Sequence, residues 1–198
     1  QPLVHLEENG FKVDFAPVDS SGRLIKESLY GLVNDNTLMV SMMYVNNEIG
    51  SVQEIDELAA ELKKIKKDLI IHVDAVQAFG KYRIYPKRQN IDLLTFSGHK
   101  IHGPKGVGVL YAAESVKLNP VIFGGGHQRN LRSGTENVPG IAGIGQAVKE
   151  IYEDFDRKIA VMYELKQYFL RQLAQLEDVI INGIPKECTD EFEMEHLK

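Results

Sequence analysis

The sequence predicts an α/β fold, a mostly parallel sheet flanked by helices. Short apolar or β-branched runs alternate with amphipathic stretches, the pattern of strands covered by crossover helices. The connections between them are short enough for one compact unit. With 43% hydrophobic and 26% charged residues, the 198-residue chain can bury a core.

In order along the chain, Thr37–Val45 reads as a buried strand. Ser51 can cap a helix in which Val52, Ile55, Leu58, Ala59, Leu62 and Ile65 recur at helical spacing. Leu69–Val73 is predicted as a second strand, Ala75–Phe79 as a short helix, Asp92–Phe96 as a third strand and Gly106–Ala112 as a fourth. Phe123–Gly134 is a loop rich in glycine and arginine. Pro139 starts a helix whose stripe includes Ile141, Ile144, Ala147, Val148, Ile151 and Phe155. A second helical stretch carries Ile159, Met162, Leu165, Phe169, Leu173 and Leu176, followed by a short strand at Val179–Ile181 and a turn at Asn182-Gly183. Charges interrupt the apolar stripe at Asp154–Arg157, so residues 1–155 are expected to form part of a large domain and residues 156–198 the start of a small one. Lys186–Lys198 is strongly polar with no core face, and a disordered or ragged end is expected there.

Composition narrows the function. Lysine plus arginine at 23 against 28 acids gives a net charge of −5, which supplies no footprint for a nucleic-acid backbone. No apolar run approaches the ~20 residues of a bilayer span, and the first residues do not read as a targeting peptide. A single cysteine, Cys188, suits a reducing compartment, and a cytoplasmic location is expected.

In an open parallel sheet ligands bind beyond the carboxyl ends of strands. Four polar clusters are expected there: Asn46-Asn47-Glu48, Asp74 with Gln77, Ser97-Gly98-His99-Lys100, and the loop Gly124–Thr135. A lysine directly after a buried strand can lose solvation and act as a nucleophile toward a carbonyl, holding an aldehyde cofactor as a Schiff base. A solvated surface charge is the plain alternative for Lys100. Asp74, at the end of an apolar run, needs a cationic or hydrogen-bonding partner. A protonated pyridine nitrogen is one; the N-cap of the following helix is another. Gln77, three residues on, can reach a ring hydroxyl oxygen or simply occupy an exposed helix position. Ser97, His99 and the glycine-rich segment offer donors for a phosphate, or are a turn serine and a satisfied histidine.

Taken together, Val40-Ser41 through Asn46-Asn47-Glu48-Ile49-Gly50, His72-Val73-Asp74-Ala75-Val76-Gln77, Ser97-Gly98-His99-Lys100 with Gly103-Pro104-Lys105-Gly106, and Gly124-Gly125-Gly126 through Arg132-Ser133-Gly134-Thr135-Glu136-Asn137 resemble the cysteine desulfurases. These are pyridoxal-phosphate enzymes of the class V aminotransferase group. The resemblance runs from about Leu3 to Gly183 and implies the large domain of the fold type I pyridoxal-phosphate transferases. It implies that Lys100 forms the linkage to the cofactor and then moves protons. By the same resemblance Asp74 pairs with the pyridinium nitrogen, Gln77 with the ring hydroxyl oxygen, and Ser97 and His99 with the phosphate. Thr135 reaches the phosphate of the neighbouring subunit in a homodimer, and Asn47 helps hold the substrate carboxylate. L-cysteine would be the substrate, alanine the product, and a sulfur-acceptor protein the recipient of a persulfide destined for iron–sulfur clusters or thio-cofactors.

The family extends further at both ends, with a stacking histidine and phosphate loop before this segment and a persulfide-forming cysteine and carboxylate-gripping arginine after it. Cys188 falls too early for that cysteine, and its acidic neighbours Glu187, Asp190 and Glu191 disfavour a thiolate. Glu187–Lys198 departs from the family's pattern. The chain is therefore expected to be a central fragment, and a catalytically inactive chain serving dimerisation or scaffolding is the alternative. Two other chemistries fit the residues less well. A metal-dependent hydrolase would use His72, Asp74, His99 and His102, but Asp74 is expected to leave the strand and Lys100 would repel a cation. A Walker-type nucleotide site would use Gly98–Lys105, but Lys105 precedes a glycine rather than serine or threonine opening a helix.

Overall fold

The computed structural model describes residues 2–173 and 175–182. Two short helices, α1 (Pro2–Glu8) and α2 (Lys26–Leu32), precede strand β1 (Met39–Met43). Helix α3 (Ile55–Ile65) crosses to β2 (Ile70–Asp74); β3 (Leu93–Ser97), β4 (Gly108–Ala112), α4 (Val138–Tyr152) and α5 (Phe155–Leu173) follow. The sheet order is β1-β2-β3-β4. β1, β2 and β3 are parallel, and β4 pairs antiparallel with β3. The mostly parallel, helix-flanked sheet is thus as expected; Val179–Ile181 is not a strand, and the Lys186–Lys198 expectation lies outside the described residues, as does Gly183.

Two elements differ from expectation for reasons outside their own sequence. Ser51 does not cap α3. Val45 and Val52 first pair across a tight antiparallel bridge, Ser51 is buried with its hydroxyl donating to the Gly22 carbonyl at 3.2 Å, and the helix begins only at Ile55. Ala75–Phe79 is a turn rather than a helix, closed by the Ala75 carbonyl, which accepts from Ala78 N at 3.0 Å and Phe79 N at 2.7 Å. Phe155 starts α5 rather than ending the stripe of α4, the chain breaking at Asp154 with a positive φ of 58°. It stays buried, with the Arg83 guanidinium 4.6 Å above its ring.

Strand β2 alternates buried and half-buried residues as a half-covered sheet requires. Met42, Ile71, Val73 and Leu94 join Ile55, Leu58, Ala59 and Leu62 of α3 in one buried cluster, each large side chain contributing ~1.5–3 kcal/mol by leaving water. A second cluster seats α4 on the turn after β3 through Ile101, Ile144 and Ala147. The opposite sheet face carries Ser41, His72, Asp74 and Thr95, since Ser41 pairs with His72 and Asp74 with Thr95 in register.

One carboxylate holds that register from below. Asp92 Oδ2 accepts from Ile71 N at 2.8 Å and from Lys63 Nζ at 2.7 Å, while Asp92 N donates to Ile71 O at 2.9 Å. Asp92→Ala leaves the Ile71 amide without its acceptor and Lys63 with the Leu69 carbonyl but no counter-ion. It is expected to lower unfolding stability by about 1–3 kcal/mol, read as a reduced urea midpoint with an unchanged m-value.

Candidate active site at the strand ends

Because β1, β2 and β3 are parallel neighbours, the residues just beyond them collect on one rim. Asp74 is the last residue of β2 and Ser97 the last of β3. A 3-10 turn, Gly98–Ile101, then carries His99 and Lys100. Gly98 fits because a Cβ there would lie 3.1 Å from the Pro104 and Val107 carbonyl oxygens and from Ile144 Cδ1. The turn ends at His102 in the left-handed region, φ 64°.

Asp74 stays in the strand instead of leaving it, so its side chain shares a face with His72. One carboxylate oxygen accepts from Val76 N at 2.9 Å, shaping the turn after β2; no other hydrogen bond of the described residues uses the carboxylate. The N-cap reading of Asp74 falls with the missing helix. Gln77 lies half-buried in the same turn, its amide without a hydrogen bond among the described residues. Ser97 Oγ and His99 Nδ1 are hydrogen-bonded at 2.7 Å, which leaves His99 Nε2 open. Lys100 is exposed and makes no ion pair or side-chain hydrogen bond among the described residues.

Asn47 sits exposed at the tip of the loop after β1, donating to Glu48 Oε1 at 2.8 Å. Its neighbour Asn46 builds that loop, its side-chain oxygen accepting from Glu48 N and Ile49 N at 2.9 and 3.0 Å. The fourth cluster is not brought to the rim by a parallel strand, because β4 runs the other way and its carboxyl end points away from Asp74 and Ser97. Thr135 is exposed in the loop before α4, and no hydrogen bond of the described residues ties it to Asp74 or Lys100. The hinge into α4 is firm, Asn137 Oδ1 capping the helix from Gly140 N at 3.1 Å. A cavity of about 310 Å³ lies elsewhere, lined by Tyr44, Tyr82, Arg83 and Gln89 among others, and none of the rim residues faces it.

Beneath Asp74, His72 is hydrogen-bonded to Ser41 Oγ at 2.7 Å through Nδ1 and approaches Thr95 Oγ1 at 3.5 Å through Nε2. Its nitrogens are thus turned to hydroxyls, and no group of three or more His, Cys, Asp or Glu among the described residues could hold a metal. Sequence reasoning passed over Lys81. Gly80, at φ 78°, is packed against Ile101 and Ile151, which sets Lys81 beside the turn that carries Lys100. Burial first, and the Lys100 charge second, push the Lys81 ammonium below its ordinary value. The run Phe79-Gly80-Lys81 directly after Asp74-Ala75-Val76-Gln77 is the signal that could have pointed to it.

Comparison with known proteins gives this rim its context. The family model for class-V aminotransferases matches residues 1–192, and the chain belongs to that family. The match extends into Glu187–Lys198, so the departure there is shorter than expected. A putative cysteine desulfurase, IscS 1, of Bacillus subtilis is 46% identical over 164 residues, 83% of this chain and 43% of the relative. A solved NifS-like protein superposes with a TM-score of 0.87 at 40% identity, covering 91% of this chain and 49% of its own. The structure of SspA in complex with cysteine matches with a TM-score of 0.71 at 37% identity, covering 75% of this chain and 43% of that one. The chain spans about half the length of the curated relatives it matches.

Burial pushes the His72 imidazole below its ordinary 6.5, with the Asp74 carboxylate opposing that shift. The unfolded chain therefore takes up a proton near 6.5 that the folded chain resists, so this contribution is full above that pH and is lost as pH falls through it. His72→Gln is expected to flatten the decline of stability between about pH 7 and pH 5, measured as urea midpoints across that range; an unchanged slope would refute the assignment.

Proposed function

We propose that this chain carries the cofactor-binding core of a pyridoxal-phosphate-dependent cysteine desulfurase. The whole protein would convert L-cysteine to L-alanine and pass the sulfur, as a persulfide, to an acceptor protein for iron–sulfur cluster or thio-cofactor synthesis. One observation carries the reading: Asp74, Ser97, His99 and Lys100 lie at the carboxyl ends of two adjacent parallel strands, each with polar atoms left open. The cysteine-bound SspA structure supports an amino-acid substrate for this fold.

The residues fit the cofactor's three polar ends. The Lys100 amine, unpaired among the described residues, suits an aldehyde carbon, the open oxygen of Asp74 a pyridine nitrogen, and the Ser97–His99 pair a phosphate. When bound, pyridoxal phosphate supplies an electron sink for charge developing at the substrate's α-carbon. Asp74 would keep a proton on the ring nitrogen, and burial disfavours a competing positive charge on the His72 ring below it. Gln77 would donate its amide to the ring hydroxyl oxygen. Lys100 Nζ, once free, would move the α-proton. Asn47, on its exposed loop, would reach the substrate carboxylate.

A homodimer completes the reading, with Thr135 reaching the partner's phosphate. It is supported by the apolar side chains of Val121 and Phe123, 87% and 80% exposed just before the glycine-rich loop. We place the large domain at residues 1–155 and the small one from 156 onward, at the break between α4 and α5. A cytoplasmic location accords with a substrate thiol that needs a reducing compartment; no helix among the described residues is long and apolar enough to cross a membrane.

Adding pyridoxal phosphate, reducing with borohydride and mapping the modified peptide tests the reading. Label is expected at Lys100, with a yellow absorbance band beforehand, and Lys100→Ala should abolish both. Absence of label at Lys100, or a label that survives the substitution, would leave a dimerisation or scaffolding role for this chain.

A further inference from the structure

Away from the rim, a cavity of about 310 Å³ opens between the first turn of α3 and residues 82–89. Tyr44, 9% exposed, lies at its floor, while Tyr85, 50% exposed, and the exposed Arg88 stand at its mouth. The rings of Tyr44 and Tyr82 are stacked with centroids 5.2 Å apart, so an aromatic wall is already in place. The buried Gln89 ties the two segments together. Its Oε1 accepts from Tyr85 N at 2.7 Å, and its Nε2 donates to Asp56 Oδ1 at 2.5 Å. The cavity is therefore braced before a ligand arrives, which lowers the ordering cost of binding. Its size is that of a small-molecule site with room for one ring and its substituent.

The charges on its walls are unevenly answered. Glu54 and Glu57 share Lys26 at 2.5 and 2.6 Å, and Arg23 adds its charge beside Glu54. Asp56 is met by Gln89 and sits in the first turn of α3, where a helix favours a negative charge. Arg83 is paired with Asp156 at 2.9 Å. Arg88 differs: among the described residues it has no carboxylate partner, only the Tyr85 ring, whose centroid is 5.8 Å from the guanidinium carbon. That contact occupies the flat face of the guanidinium and leaves its edge of N–H donors open to a carboxylate. Burial first, and the Asp56 carboxylate second, push the Tyr44 phenol up to about 12 against a smaller opposing pull from Gln89. Tyr44 thus keeps its proton and meets a ligand as a donor rather than an anion.

We propose that this cavity binds a small aromatic carboxylate, its ring against the tyrosines and its carboxylate on the Arg88 guanidinium. None of the rim residues lines the cavity, so the site is separate from the one proposed for the cofactor and goes beyond that reading. Ring and charge are both required. The ring gains from the tyrosine faces, whereas a carboxylate alone would hold an exposed arginine only as weakly as a surface ion pair does. A ring bearing an ammonium would meet the unanswered charge of Arg88.

Titration with benzoate tests the site, read from the ring signals of Tyr44 and Tyr85 in the ¹³C-tyrosine-labelled chain and assigned with Tyr44→Phe and Tyr85→Phe. Benzoate is expected to shift both signals to saturation. Acetate, which lacks the ring, and benzyl alcohol, which lacks the charge, should each need about tenfold more to reach the same shift. Benzylamine, with the opposite charge, should bind more weakly still. These comparisons are made in the unsubstituted chain and need no variant to fold. Arg88→Gln, at an exposed position, should weaken benzoate about tenfold, to the level of benzyl alcohol. Saturation by benzyl alcohol or benzylamine at or below the benzoate concentration would overturn the proposal. So would equal benzoate affinity in wild type and Arg88→Gln, or the lack of a saturable shift at either tyrosine.

Discussion

The pairing of β2 with β3 is the constraint on which the whole rim depends. Side chains on a strand alternate faces, so a slip of one residue would turn His72 and Asp74 into the core and present Ile71 and Val73 to solvent. Burial of Ile71, Val73 and Leu94 against α3 opposes such a slip, and Asp92 reinforces it, bonding Ile71 through both its backbone and its carboxylate. The carboxylate that matters for register thus sits at the opposite end of the strands from the one proposed to meet a cofactor. An acidic side chain at the start of β3 secures the position of another at the end of β2.

Much of this was legible in the chain itself. The strands announce themselves because runs such as Leu69–Val73 are short, β-branched and bounded by polar residues, and α3 because its apolar positions keep helical spacing. Asp74, Ser97, His99 and Lys100 were legible for the same reason: each comes at or just past the end of an apolar run, and parallel strands gather such residues on one side of the sheet. Where local reading failed, a distant partner intervened. Ser51 has every attribute of a helix cap, yet the Gly22 carbonyl, far away in sequence, claims its hydroxyl. Asp74-Ala75-Val76-Gln77 can be written as a helix start, but the strand extends through Asp74 and the chain then turns on itself.

Direction was also hidden. Gly106–Ala112 reads equally well as a parallel or an antiparallel strand, because alternation carries no sense of polarity, and only the pairing of Ser97 with Gly108 reveals it. Because β4 runs the other way, its own carboxyl end does not lead the chain to the rim, and the role proposed for Thr135 is toward a second subunit. Lys81 escaped notice for a related reason. A lysine after a glycine is ordinary until Gly80 is seen lying against Ile101, and that contact joins two segments some twenty residues apart.

The turn after β2 is closed by two acceptors, the Asp74 carboxylate for Val76 N and the Ala75 carbonyl, which Ala78 and Phe79 share. A helix at this point would have enlisted Gln77 in a ladder of successive bonds, so that displacing it meant unwinding a cylinder. Here Gln77 belongs to a short hydrogen-bonded turn, anchored downstream by Phe79 stacked on Phe96 at 3.7 Å. The Gln77 side chain is thus held by its backbone alone among the described residues, with the stacked aromatic pair fixing the chain just behind it.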